Sequence, residues 1–167
     1  ITNLSENDVM LCQAPRHPHH PELGQREFAF TRELWIERDD FMQDPPKKYF
    51  RLFPGNQVRL KYAFVVTCTG CITDDQGKVT EVHAEYLPDT RSGTSGADAV
   101  KVKGTVTWVS AAHAVAAQIR LYDRLFTEPF PDAGEGSFLD HLNPDSVRTV
   151  NGWLEPGIDL STPVLQF

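Results

Sequence analysis

Apolar and polar positions in this chain alternate over short runs and never settle into a sustained 3.6-residue repeat. The clearest run is KVKGTVTWVSAAHA over 101–114, followed by IRLYDRLF over 119–126. Lys101 and Lys103 are two apart, so an extended chain places both ammonium groups on one face and turns Val102 to the other. Thr105, Val106, Thr107, Trp108 and Val109 are β-branched or aromatic, as a strand with one buried face requires. After a small-residue corner at 110–114, the alternation sets Gln118, Arg120 and Arg124 outside. It sets Ile119, Leu121 and, after one slip at Tyr122 and Asp123, Leu125 inside.

The same pattern predicts strands over 1–12, 28–36, 58–68, 79–86 and 146–153. Pro54, Gly55 and Asn56 mark a turn, and Asp74 to Gly77 reads as a tight hairpin turn. Brief helical turns are expected after Asp39, stopped by Pro45 and Pro46, and over 138–144, stopped by Asn143 and Pro144. Residues 13–25 form a loop rich in Pro and His, Thr90 to Ala99 a loop of Gly, Ser and Thr, and Thr127 to Gly136 another. Short strands between frequent turns predict an all-β fold of the sandwich or barrel type. The loop at 90–99 offers a seam, giving a first β unit over 1–89 and a second over 90–167.

Length and composition allow this. The chain has 167 residues, 40% of them apolar and 10% aromatic, enough for a packed core. No apolar run approaches the length of a membrane span. The chain opens on Ile1 without an initiating Met and closes on Pro163 to Phe167, both of which read as strands of something longer, so a piece of a larger protein is expected. An odd, sparse set of cysteines at 12, 68 and 71 suits a reducing compartment, so a cytoplasmic protein is expected. The net charge of −7 argues against a general nucleic-acid binder and leaves room for a local basic face on an acidic body.

The motifs of chemistry are weak. Cys68 and Cys71 form a lone CxxC, which reads as two thiols near a strand end, since zinc needs four ligands and no second pair occurs. Cys12, His17 and His20 could in principle join such a set. His17, His19 and His20 sit among prolines and read as a solvated loop. His113, in a small-residue corner, reads as a hydrogen-bonded structural histidine. There is no phosphate-cradling GxxxxGK[ST] loop and no GxGxxG. No catalytic residue, metal site or cofactor is expected within these residues.

The basic residues are therefore the functional candidates. Arg59 and Lys61 are two apart in one strand and so share a face, with Tyr62 offering an aromatic surface on the opposite parity or at a bulge. Arg32, Arg91, Lys101 and Lys103 lie at strand starts or in the loop between the two expected units. Such side chains could pair with phosphates or base edges while a tyrosine stacks on an unpaired base. Two other classes stay open: an acidic β module that binds a basic protein, and a small metal-dependent enzyme using the cysteines and histidines.

KVKGTVTWVSAAHA with IRLYDRLF, HPHHPELGQREFAFTRELWIERDDF over 17–41 and YFRLFPGNQVRLKYAFVV over 49–66 together resemble, in order, the C-terminal anticodon-binding domain of the glutaminyl-tRNA synthetase family. The related archaeal and eukaryotic type of glutamyl-tRNA synthetase shares this domain. The resemblance implies two small β-barrels, with anticodon bases read by basic and polar side chains between and along them. Carried over position by position, it implies RNA contacts best at Arg32 and the Lys101/Lys103 pair, while Arg59, Lys61, Tyr62 and Arg91 remain candidates by residue type and position. It also implies a glutamine tRNA as partner, an N-terminal catalytic domain of the same chain that uses ATP with magnesium, a monomeric parent enzyme and no membrane.

Overall fold

The computed structural model describes residues 1–134 and 136–157. The strand expected over Pro163 to Phe167 lies outside the described residues. Among those described the regular structure is all strand and short 3₁₀ turns, as the alternation requires. The chain forms two compact units, Ile1–Ala114 together with residues 155–157, and Val115–Leu154.

In the first unit β1 (Met10–Pro15) pairs antiparallel with β2 (Gln25–Phe30), and β3 (Leu34–Ile36) pairs with β8 (Trp108–Ser110). A four-stranded sheet runs in the order β6-β5-β4-β7, from β4 (Gln57–Leu60), β5 (Val65–Thr73), β6 (Val79–Tyr86) and β7 (Thr105–Val106). The edge strand β7 lies parallel to β4, with Arg59 opposite Thr105 and Leu60 opposite Val106. The core is aromatic. Phe30 is fully buried and packs against Phe64, Tyr86 and Trp108 at 5.0, 5.7 and 5.4 Å between ring centroids. Val58, Leu60, Val65, Val66 and Val106 fill the space around them.

The strand read over 1–12 begins only at Met10 and runs on to Pro15, because residues 1–8 are spent on turns closed by Leu4 to Ile1 and Asp8 to Ser5 backbone bonds. The strand read over 28–36 breaks at Thr31. There the Thr31 hydroxyl bonds the Glu33 carbonyl at 3.0 Å and the Ser110 hydroxyl at 2.8 Å, a side-chain alternative to the ladder. The strand read over 58–68 is a hairpin. Its turn, Lys61 to Phe64, is closed by a 2.8 Å bond from the Ala63 amide to Leu60, with Tyr62 at a left-handed φ of 61°. A bulky residue seldom holds that conformation, so the sequence carried no turn signal.

In the second unit β9 (Val115–Tyr122) and β10 (Val147–Leu154) pair antiparallel along their full length. A 3₁₀ turn at Phe138–His141 is opened by a capping box between Ser137 and Asp140. Ile119 is half-buried as expected. Leu121 and Leu125, expected inside, are 42% and 58% exposed, because among the described residues this unit offers one antiparallel pair and no second sheet to cover them.

Candidate nucleic-acid interface

The approach to β7 keeps the predicted parity. Lys101, Lys103, Thr105 and Thr107 are exposed, while Gly104, Val106 and Trp108 are buried and Val102 is half-buried between the lysines. The ladder itself starts only at Thr105, so the strand expected from Lys101 is not formed there, and both lysines stand on the irregular segment that leads into β7, which bends at Lys103. Segment 49–52 lies against this segment. A Cβ on Gly104 would fall 1.7 Å from the Phe50 carbonyl oxygen, so only glycine admits the contact. Phe50 is 47% exposed, and the Lys103 ammonium lies 5.3 Å from its ring centroid.

Arg51 beside it donates to the Thr105 carbonyl at 2.9 Å and pairs with Asp40 at 2.8 Å. Burial raises the Asp40 pKa, and the Arg51 guanidinium works against that rise. Lys103, an exposed aromatic ring and an anchored arginine thus meet at one edge of the sheet, and Lys101 is exposed on the segment leading to it. Phe50 and Arg51 were missed from sequence because Phe50 to Phe53 reads only as a brief turn of helix or extended chain, with nothing to set that ring on the surface. The interleaving of Lys47, Lys48, Tyr49, Phe50 and Arg51, basic with aromatic, was the available signal.

A second cluster forms at the turn after β4. Lys61 is exposed with its ammonium 5.5 Å from the Tyr62 ring centroid, and its amide bonds Val106 at 2.9 Å, tying the turn to β7. The Arg26 guanidinium lies 5.6 Å from the Phe28 ring and 6.0 Å from that of Tyr62. It makes a two-pronged pair with Glu155 at 2.7 and 3.1 Å and donates to Pro15 at 2.6 Å. Tyr62 is thus flanked by two cations and is half-buried.

Arg59 departs from the expected arrangement. Since the strand ends at Leu60, Arg59 and Lys61 share no strand face. The Arg59 guanidinium reaches the loop after β6, donating to Thr90 at 2.8 Å, to Ala63 and Ser92 at 3.3 Å each, and to Ala97. Arg91 is exposed on that same loop, at the rim of an open hollow of about 370 Å³ floored by Phe64, Tyr86 and Met10. Arg32 stands in the break between β2 and β3, half-buried, donating to the Leu4 carbonyl at 2.8 Å.

The histidines and cysteines have structural surroundings. His113 meets the Ser110 hydroxyl at 3.1 Å through Nδ1. His17 and His20 rings lie 4.5 Å apart on the exposed loop, and His20 pairs with Glu22 at 2.8 Å. Cys12 and Cys68 are buried in the core of the first unit, and Cys71 is half-buried further along β5. Burial pushes the Cys12 thiol up to about 11, against the pull of the Arg91 guanidinium. It raises Cys68 as well.

Two family models match the sequence, both described as the anticodon-binding domain of class I (E and Q) tRNA synthetases, one over residues 1–87 and one over 105–167. The chain is 67% identical over 157 residues to the glutamine–tRNA ligase of Bordetella avium (strain 197N), covering 94% of this chain and 27% of that protein. It is 62% identical over 156 residues to the enzyme of the same name from Ralstonia nicotianae, covering 93% and 27%. With that of Cupriavidus taiwanensis it shares 59% over 167 residues, covering 100% and 28%. The chain thus spans little more than a quarter of the length of these curated relatives.

Proposed function

This chain belongs to the family of anticodon-binding domains of class I (E and Q) tRNA synthetases, and we propose that it grips the anticodon loop of a glutamine-accepting tRNA. The observation that carries this reading is the edge of the four-stranded sheet, where Lys103 stands beside the exposed ring of Phe50 near the anchored Arg51, with Lys101 exposed two residues before it, on a chain whose net charge is −7. An anticodon loop presents splayed bases and a turn of phosphates, so it needs a stacking surface with cations at its rim. Phe50 supplies the surface, and Lys101 and Lys103 supply phosphate contacts. Lys61 extends the same edge beyond the turn, with Tyr62 beneath its ammonium. Arg91 and Arg32 are assigned further contacts, whereas Arg59 acts through the loop that carries Arg91.

The sequence modules of this reading stay at 1–89 and 90–167. The two family models leave the loop at 90–99 between them. β7 and β8 lie past that loop and yet pair with β4 and β3, so the second module lends strands to the first compact unit. The whole protein is proposed to join glutamine to its tRNA in the cytoplasm, as a monomer. ATP and its magnesium ion are assigned to polypeptide outside these residues, whose sequence has neither a phosphate-cradling loop nor a dinucleotide fingerprint. No described helix is long and apolar enough to cross a membrane.

Filter binding with purified glutamine and glutamate tRNAs and with an anticodon stem-loop, at two salt concentrations, tests this. The stem-loop alone should bind, more weakly as salt rises, through counterion release. Preference for the glutamate tRNA would move the assignment to the glutamyl type. Binding insensitive to salt, or none, would overturn the reading.

A further inference from the structure

We propose that Arg59 is a positioning residue: it holds loop 90–97 in one shape and thereby presents Arg91. The composition of this loop, with Ser92, Gly93, Thr94, Ser95 and Gly96 in succession, reads as flexible. The structure pins it at several points. The buried Thr90 hydroxyl accepts from the Val65 amide at 2.8 Å and donates to Leu87 at 2.7 Å. The Ser92 amide and hydroxyl both donate to the Ala63 carbonyl, at 2.8 and 3.0 Å. A Cβ on Gly96 would stand 1.9 Å from the Asp89 carbonyl oxygen, so the loop closes on its own start.

Arg59 is the hub of these contacts. From β4 its guanidinium reaches the carbonyls of Ala63, Thr90 and Ala97 and the hydroxyl of Ser92, spanning the base of the loop from one end to the other. A planar fork with five donors can serve several carbonyls at fixed angles, which a lysine ammonium cannot reproduce. A guanidinium so engaged has its donors turned into the protein. Arg91 is left exposed on the loop, lining the hollow over Phe64 and Tyr86.

That Arg91 meets RNA rests on the function proposed above; that Arg59 holds the loop does not. The test uses the protein's full chain with Arg59→Lys, Arg91→Ala and their combination, and Ser92→Ala as a milder variant. Backbone hydrogen exchange is read at Ser92, Thr94 and Ala97. tRNA affinity is read across a salt series, and circular dichroism checks the fold. Arg59→Lys should speed exchange at these amides by about tenfold or more, by releasing a local opening. Ser92→Ala should do so to a lesser degree. Arg59→Lys and Arg91→Ala should each flatten the salt slope by about 0.7, one contact to a single strand, with no further loss when combined. Unchanged exchange in both Arg59→Lys and Ser92→Ala would overturn the proposal. Losses that add to about 1.4 in the slope would also overturn it, since Arg59 would then touch RNA directly. If the unmodified protein binds no tRNA, the proposed function fails while the exchange result still decides the role of Arg59.

Discussion

The two units are both built from strands and reach different ends. In the first, β-strands from three sheets turn their apolar faces onto one aromatic cluster, and Phe30, Val58, Val65 and Val106 are lost to solvent completely. In the second, a single antiparallel pair alternates in β9 but sets apolar residues on both faces of β10, and no described residue is fully buried; Tyr122 and Phe130 are each 75% exposed. Alternation fixes which side of a strand is apolar. It does not fix whether anything lies on that side, because cover comes from other elements and an isolated two-stranded ribbon has none. The candidate RNA edge belongs to the well-packed unit, where side chains can be held in place.

The strongest way to break this comparison is to remove one aromatic ring from each unit. Phe30→Ala should cost about 3–5 kcal/mol, a transfer loss plus a cavity. Phe138→Ala, at a half-exposed ring, should change stability by less than about 1 kcal/mol. Urea unfolding of each variant reads both, and equal costs would erase the distinction between the units.

The next effect is set by pH. All three cysteines lie in the first unit. Cys12 is raised from 9.0 to about 11 in the folded state by burial. The unfolded thiol therefore ionises first. Its contribution is intact below about pH 9 and is lost as pH rises toward 11, up to roughly 3 kcal/mol. Stability of the first unit should fall across that window, and Cys12→Ala should flatten the fall. A loss of stability of equal size in the Cys12→Ala protein would refute the assignment.

Smaller still is Arg51→Ala, which leaves the buried Asp40 without its cation and Thr105 without a donor, for about 1–2 kcal/mol. Smallest is a gain. Lys48 is exposed with a left-handed φ of 72°, so Lys48→Gly should stabilise by up to about 1 kcal/mol in thermal unfolding. A loss there would mean that the Lys48 side chain is held by a contact worth more than the backbone strain.

The sequence made much of the fold legible and less of the site. The all-β class, the hairpin at Asp74 to Gly77 and the strands 79–86 and 146–153 follow from local pattern and turn chemistry, which are properties of neighbouring residues. The breaks at Thr31 and Tyr62 do not, because one depends on a hydroxyl from Ser110 and the other on a tyrosine held in a glycine-like conformation. The exposure of Lys101 and Lys103 was legible from the alternation, whereas the strand expected to carry them begins only at Thr105, after a bend at Lys103. The role of Arg59 was not: two residues before Lys61 in sequence, it spends its donors on carbonyls as distant along the chain as Thr90 and Ala97. Phe50 was hidden for the opposite reason, since an exposed ring and a buried one look alike until the approach of Gly104 and Lys103 is seen.

The central claim is that the edge bearing Lys101 and Lys103 holds the anticodon loop. Its most direct test is the affinity of the full chain for a glutamine tRNA across a salt series, with Lys101→Ala and Lys103→Ala combined and Lys78→Ala, at the β5–β6 turn, as control. The combined change should weaken binding and lower the salt slope by about 1.4, two contacts at 0.7 each. Folding should be unaffected, as both side chains are exposed. The control should leave the slope unchanged. If the lysine pair can be removed with no change in slope, or if Lys78→Ala lowers it as much as one of the pair should, the claim is contradicted.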